Sequence, residues 1–112
     1  MITDAGTNDI VANYILSQYT TIKVGNGGDD TSSGQTELDS FVISKVIIPS
    51  AINSQIIWTA TFTGSEIGSQ GVSELGIFKT SGDTLLSRVT FANTGVIASN
   101  DSVTFTIRME IN

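Results

Sequence analysis

Between Ser102 and Ile111 the chain alternates without a break, with Val103, Phe105, Ile107, Met109 and Ile111 set against Ser102, Thr104, Thr106, Arg108 and Glu110. Successive side chains of extended backbone point to opposite sides, so this period of two demands a strand with one face in a core and one outside it. A helix would spread the same apolar row around its whole circumference. A lone strand is not stable, so the rest of the chain must supply a sheet around it.

Other segments fit that demand. Ile56, Trp58, Ala60 and Phe62 alternate with Ile57, Thr59, Thr61 and Thr63. Residues 72–79 read as another strand, Ser81-Gly82-Asp83 carries hairpin chemistry, and Leu85, Ser87, Val89 and Phe91 face opposite to Leu86, Arg88 and Thr90. Upstream, Tyr19-Thr20-Thr21-Ile22-Lys23-Val24 is rich in β-branched residues, and Phe41 to Ile48 makes a further strand closed by Pro49, which has no N–H for a ladder. Short turns after residue 55, including 64–71, predict an antiparallel meander. Before the strands, Thr3, Asp4 or Asn8 can cap a helix whose Ile10, Val11, Tyr14, Ile15 and Gln18 share one side. That helix is expected to lie on a sheet by its Ile10–Tyr14 face. The reading is a single β-rich α+β domain over residues 1–112: a helical segment over 1–18, then a body of about six strands over 19–112, arranged as an antiparallel sandwich or meander.

Composition narrows what such a domain does. Charged residues make up only 14% of the 112, well below the ~25% usual in soluble domains. Thr, Ser, Asn and Gly must therefore cover much of the surface, which suits a subunit that packs against others. The net charge is −6, and the five basic residues are scattered at Lys23, Lys45, Lys79, Arg88 and Arg108. That balance argues against nucleic acid as a partner, since binding it needs clustered cations to neutralise phosphates. An anionic membrane surface would repel the chain, no apolar run approaches the ~18 residues of a membrane span, and the opening Met1-Ile2-Thr3-Asp4 lacks the regions of a secretory signal. With no cysteine and no histidine, the chain has neither a thiolate site nor the usual neutral-pH acid–base group, so no cofactor is expected and an enzyme is disfavoured.

Three places invite a chemical reading. Gly25-Asn26-Gly27-Gly28 follows a strand, as a phosphate loop does, but runs into Asp29 and Asp30, which repel phosphate. A glycine turn is the better reading. From Gly25 to Gly34 there is no apolar residue, so the stretch reads as a long loop, dispensable for folding and suited to partner contact through Gly25, Asn26, Gly27, Gly28, Asp29 and Asp30. Asp29, Asp30 and Glu37 offer oxygen ligands for calcium, although their spacing matches no calcium loop. Glu74 sits among apolar neighbours and would need a second acid for carboxylate catalysis. A structural pair with Arg88 on the next strand is the simpler role. Trp58, Phe62 and Phe78 read as core aromatics.

Several short motifs, taken in order, resemble a known family. They are Thr3-Asp4-Ala5-Gly6, Ile22-Lys23-Val24-Gly25-Asn26-Gly27, Thr36-Glu37-Leu38, Ser73-Glu74-Leu75-Gly76-Ile77-Phe78, Leu85-Leu86-Ser87-Arg88-Val89-Thr90-Phe91 and the final alternating strand. This order is similar to that of small bacteriophage virion proteins and of the N-terminal, particle-attaching domain of phage tail-collar fibre proteins. Two departures stand out: Thr94-Gly95-Val96-Ile97-Ala98 replaces a usual basic residue before the last strand, and no distal shaft follows. The resemblance implies a virion structural protein, assembled in the host cytoplasm, that forms homo-oligomers and contacts other tail, collar or capsid subunits. An adaptor on the tail and a decoration protein on the capsid are both open, and a receptor- or carbohydrate-binding module is a further alternative.

Overall fold

The computed structural model of the protein describes residue 1 and residues 3–28, 34–52 and 55–110, leaving out the side chains of residues 7, 8 and 10–12. Among the described residues the order is α1 (Asp4–Gln18), β1 (Thr21–Gly25), β2 (Phe41–Val46), β3 (Ser50–Ile52), β4 (Gln55–Thr63), α2 (Gly64–Ile67), β5 (Glu74–Phe78), β6 (Leu85–Thr90) and β7 (Ser102–Glu110). Two antiparallel sheets result, a four-stranded one in the order β2-β1-β5-β6 and a three-stranded one in the order β3-β4-β7. The domain is β-rich α+β.

The alternating strands pair with each other. β4 and β7 run in register over nine residue pairs, Trp58 opposite Ile107 and Ala60 opposite Phe105, so their apolar rows share a face. Ile56, Trp58 and Phe62 of β4 are fully buried and meet Ile22 and Val24 of β1 and Leu75 and Ile77 of β5 in one cluster shared by both sheets. The Trp58 indole N–H donates to the Tyr19 carbonyl at 2.8 Å, satisfying the polar atom that burial would otherwise strand.

The topology corrects the expected meander. β5 does not pair with β4; the chain crosses from one sheet to the other at α2 and crosses back between β6 and β7. What read as a turn after β4 contains a helical turn fixed by a capping box: Thr63 Oγ1 accepts from Glu66 N–H, and Glu66 Oε1 accepts from Thr63 N–H. Gly68 then ends α2 at φ 86°, a conformation glycine adopts freely. Past Pro49 a short additional strand, β3, pairs with the start of β4.

In α1, Thr3 is the cap, its Oγ1 accepting from Gly6 N–H at 3.1 Å. Of the stripe expected to face a sheet, Tyr14 and Ile15 differ in burial. Tyr14 is half exposed, whereas Ile15 is buried and Leu16 packs on the core; the Ile10 and Val11 side chains lie outside the described ones.

Candidate functional site

Leu75 and Ile77 face the shared core, so the pleat turns Glu74, Gly76 and Phe78 to the other side of their sheet. That side is covered by the segment between β1 and β2. A Cβ on Gly76 would lie 2.7 Å from Phe78, 3.0 Å from Leu38 and 3.2 Å from Leu85, so these apolar groups close over the strand at a bare backbone position. Lys23 lies above them, its Nζ 4.2 Å from the Phe78 ring centroid and 2.7 Å from Asp83 Oδ2.

Next to this small second core lies the most concentrated polar arrangement in the molecule. In register Gly76 stands opposite Arg88 and Glu74 opposite Thr90, which makes Glu74 and Arg88 diagonal neighbours across the β5–β6 pair. Arg88 Nε donates to Glu74 Oε1 at 2.9 Å, with both side chains withdrawn from solvent. The covering segment completes the coordination of the carboxylate. Asp39 N–H donates to Oε1 at 2.9 Å, while Ser40 N–H and Gly27 N–H donate to Oε2, each at 2.7 Å. Arg88 extends outward, Nη2 reaching Asp39 Oδ2 at 2.9 Å and Nη1 reaching Gln35 Oε1 at 3.2 Å. Ser73 Oγ donates to the Gly27 carbonyl at 2.6 Å.

Burial alone would push the Glu74 pKa up. The N–H groups of Ser40 and Asp39, the Arg88 guanidinium and the Gly27 N–H outweigh burial and hold the pKa below the ordinary glutamate value. The carboxylate therefore stays ionised as a structural anion clamping two ends of one loop onto the sheet.

The same geometry takes Gly25 and Gly27 out of the partner-contact residues expected in the loop. Gly25 ends β1 and Gly27 is buried; a Cβ on Gly25 would lie 2.2 Å from the Ser40 carbonyl oxygen, and one on Gly27 2.5 Å from Glu74 Oε2. Neither can meet a partner. No apolar side chain anchors Gly27; its backbone N–H anchors it to the Glu74 carboxylate. Asn26 and Gly28 are exposed at its rim, and Asn26 Nδ2 donates to Gln70 Oε1 at 2.9 Å. Asp29 and Asp30, and with them the calcium reading, lie outside the described residues; Glu37 is exposed beside a cleft of ≈ 170 Å³ also lined by Lys23, Leu38, Phe41 and Phe78. Among the described residues no three acidic, His or Cys side chains gather as metal ligands. The Asp39 and Ser40 backbone donors leave no mark in residue type, and nothing in the sequence places the Gln35 and Asp39 side chains beside Arg88.

The surface divides into two characters. The outer face of the β4–β7 pair presents Thr59, Thr61, Thr63, Ser102, Thr104 and Thr106, all exposed, with Thr61 and Thr104 hydroxyls 2.8 Å apart. Around β2 and β3, the side chains of Phe41, Val46, Ile48 and Ile52 are more than half exposed. No family model, curated protein or solved structure matches the chain.

Proposed function

We propose that the protein is a non-enzymatic structural subunit of a bacteriophage particle, working as an adaptor in the tail, collar or fibre attachment. The architecture we assign is a β-sandwich carrying an N-terminal helix. The observation that carries the reading is the use made of Glu74. The one carboxylate set among apolar neighbours is saturated by four donors and closed off from solvent, so the chain's best candidate for acid–base chemistry is spent on holding a loop in place. The outer face of the β4–β7 pair is rich in exposed Thr and Ser hydroxyls, which another subunit can cover at little desolvation cost. The motif order resembling tail-collar fibre domains supplies the phage context.

Decoration of the capsid is the alternative. Copies per particle, counted by quantitative mass spectrometry of purified virions, separate the two: a few to a few dozen mean tail, and hundreds mean capsid. Absence from virions refutes both. A carbohydrate-binding module has less support. Trp58, the single tryptophan and the strongest stacking surface, is fully buried, and a glycan array giving specific binders is the result that would revive it. Among the described residues, partner contact through the loop is confined in this proposal to the exposed Asn26 and Gly28.

A further inference from the structure

Among the described residues the two sheets leave four edge strands: β2 and β6 on one, β3 and β7 on the other. An edge strand offers unpaired N–H and C=O groups to any passing strand, and folded proteins blunt edges by shortness, bulges or inward charges. Three of these edges are blunted. β3 has only three residues. The pairing of β2 with β1 is broken by a register shift at Val24/Gly25, and Lys45, opposite the core residue Ile22, reaches inward to the Thr61 carbonyl at 2.6 Å. The pairing of β6 with β5 shifts at Ile77/Phe78, and β6 carries the buried charge of Arg88.

β7 has none of these devices. It runs nine residues with an unbroken register, contains no proline, and turns both its charges, Arg108 and Glu110, to the exposed outer face. Its inner row Val103, Phe105, Ile107 and Met109 is only half-buried, although the facing β4 residues Ile56, Trp58, Ala60 and Phe62 are at most 2% exposed. The apolar row thus stays partly open on the side away from β4.

We propose that this edge pairs with β7 of a second copy, antiparallel about a two-fold axis near Phe105, to give a continuous sheet in which the two β4–β7 pairs lie side by side. The occupant follows from the register. Antiparallel self-pairing centred on Phe105 sets Val103 against Ile107 and Thr104 against Thr106, so apolar meets apolar and hydroxyl meets hydroxyl. Arg108 falls opposite Ser102, and Glu110 opposite Asn100, so no like charges face each other. Centring on Thr106 keeps both rows and the same charge compatibility. A slip that mixed the rows would put apolar side chains on the hydroxyl face, which excludes it. The contact is isologous and closes as a dimer. It deepens the proposed role as an assembling structural subunit by naming the surface, and it rests on that reading only for its biological setting.

The test uses two variants altered only at exposed outer positions, Thr104→Lys/Thr106→Lys and Thr104→Glu/Thr106→Glu, studied by sedimentation velocity. The unaltered protein is expected to dimerise at micromolar concentration. Each variant should keep its melting temperature but dimerise at least about tenfold more weakly, from like charges set face to face. An equimolar mixture of the two should recover a heterodimer. A native protein that stays monomeric, or variants that associate as tightly as the native chain, overturns the inference. Should either variant fold poorly, hydrogen exchange of the native protein decides: β7 amides must become more protected as concentration rises, and concentration-independent exchange refutes the pairing. Dimerisation through β7 without incorporation into virions sinks the virion reading alone, and incorporation with β7 charges harmless sinks this inference alone.

Discussion

Glu74→Gln is nearly isosteric, so its effect isolates the carboxylate. Two donors converge on each oxygen: Gly27 and Ser40 N–H on Oε2, Asp39 N–H and Arg88 Nε on Oε1. A glutamine has one oxygen, and whichever way the amide turns, its NH₂ group confronts two N–H donors. Leaving each donor without an acceptor costs about 1–3 kcal/mol, and breaking a buried ion pair from one side costs about 3–5 kcal/mol. The two costs overlap, because Arg88 is itself one of the donors and retains Asp39, so they are not added and the broken pair sets the scale, about 3–5 kcal/mol in all. Against a total stability of about 5–15 kcal/mol, that is a drastic change for one atom pair. Urea unfolding at neutral pH should show a much lower midpoint with an unchanged slope. The pH dependence gives an independent check. A carboxylate whose pKa is lower in the folded than in the unfolded chain contributes its stability in full above the unfolded value, about 4.3, and loses it as pH falls below that toward the folded value. The gap between native and variant should therefore be widest near neutrality and narrow below about pH 4. A loss under about 1 kcal/mol, or a gap constant down to about pH 3, would refute the claim that Glu74 is a saturated structural anion.

Phe62→Ala should cost about 3–5 kcal/mol in chemical denaturation, and Phe105→Ala clearly less, because Phe62 is fully buried and Phe105 only half-buried. Equal losses would mean that β7 is not an open edge. Gly27→Ala must displace either Asp39 Cβ, 2.4 Å from the added methyl, or the Glu74 carboxylate; a loss of about 1–3 kcal/mol in the same assay is expected, while Gly28→Ala, with open space around it, should be near neutral. Replacing residues 26–33 by a short Gly-Ser turn should lower the melting temperature markedly, since the replacement removes the buried Gly27 seat and its contacts with Glu74 and Ser73.

Much of the fold was legible because it is periodic. The alternations at 56–63 and 102–111 specify strands, faces and core residues together, and the two strands pair in register over Gln55–Thr63 and Ser102–Glu110. Which strands pair was less legible. The short stretch between β4 and β5 suggested a hairpin, but the Thr63–Glu66 capping box starts a helical turn there and carries the chain across to the other sheet. That four-residue pattern was visible in the sequence and marks the crossing. β3 escaped because Pro49 ends one strand without preventing the next residue from starting another.

The candidate site failed to show itself for a different reason. Glu74 and Arg88 are side chains on adjacent strands, and alternation suffices to suggest that they meet. The other donors come from backbone N–H groups 34, 35 and 47 residues away, and a backbone amide looks the same in every sequence. The traces it leaves are indirect: Gly25 and Gly27, two residues apart, each leave room where any Cβ would strike Ser40, Asp39 or Glu74. Glycines that read as freedom of movement are here places of closest approach. The physical consequence reaches the proposed role. Gly27 is pinned to the buried anion, so its exposed neighbours Asn26 and Gly28 stand on a fixed base, and a partner that binds them has less to order. In the proposed role of an assembling subunit, that saving in ordering entropy favours a contact made through Asn26 and Gly28.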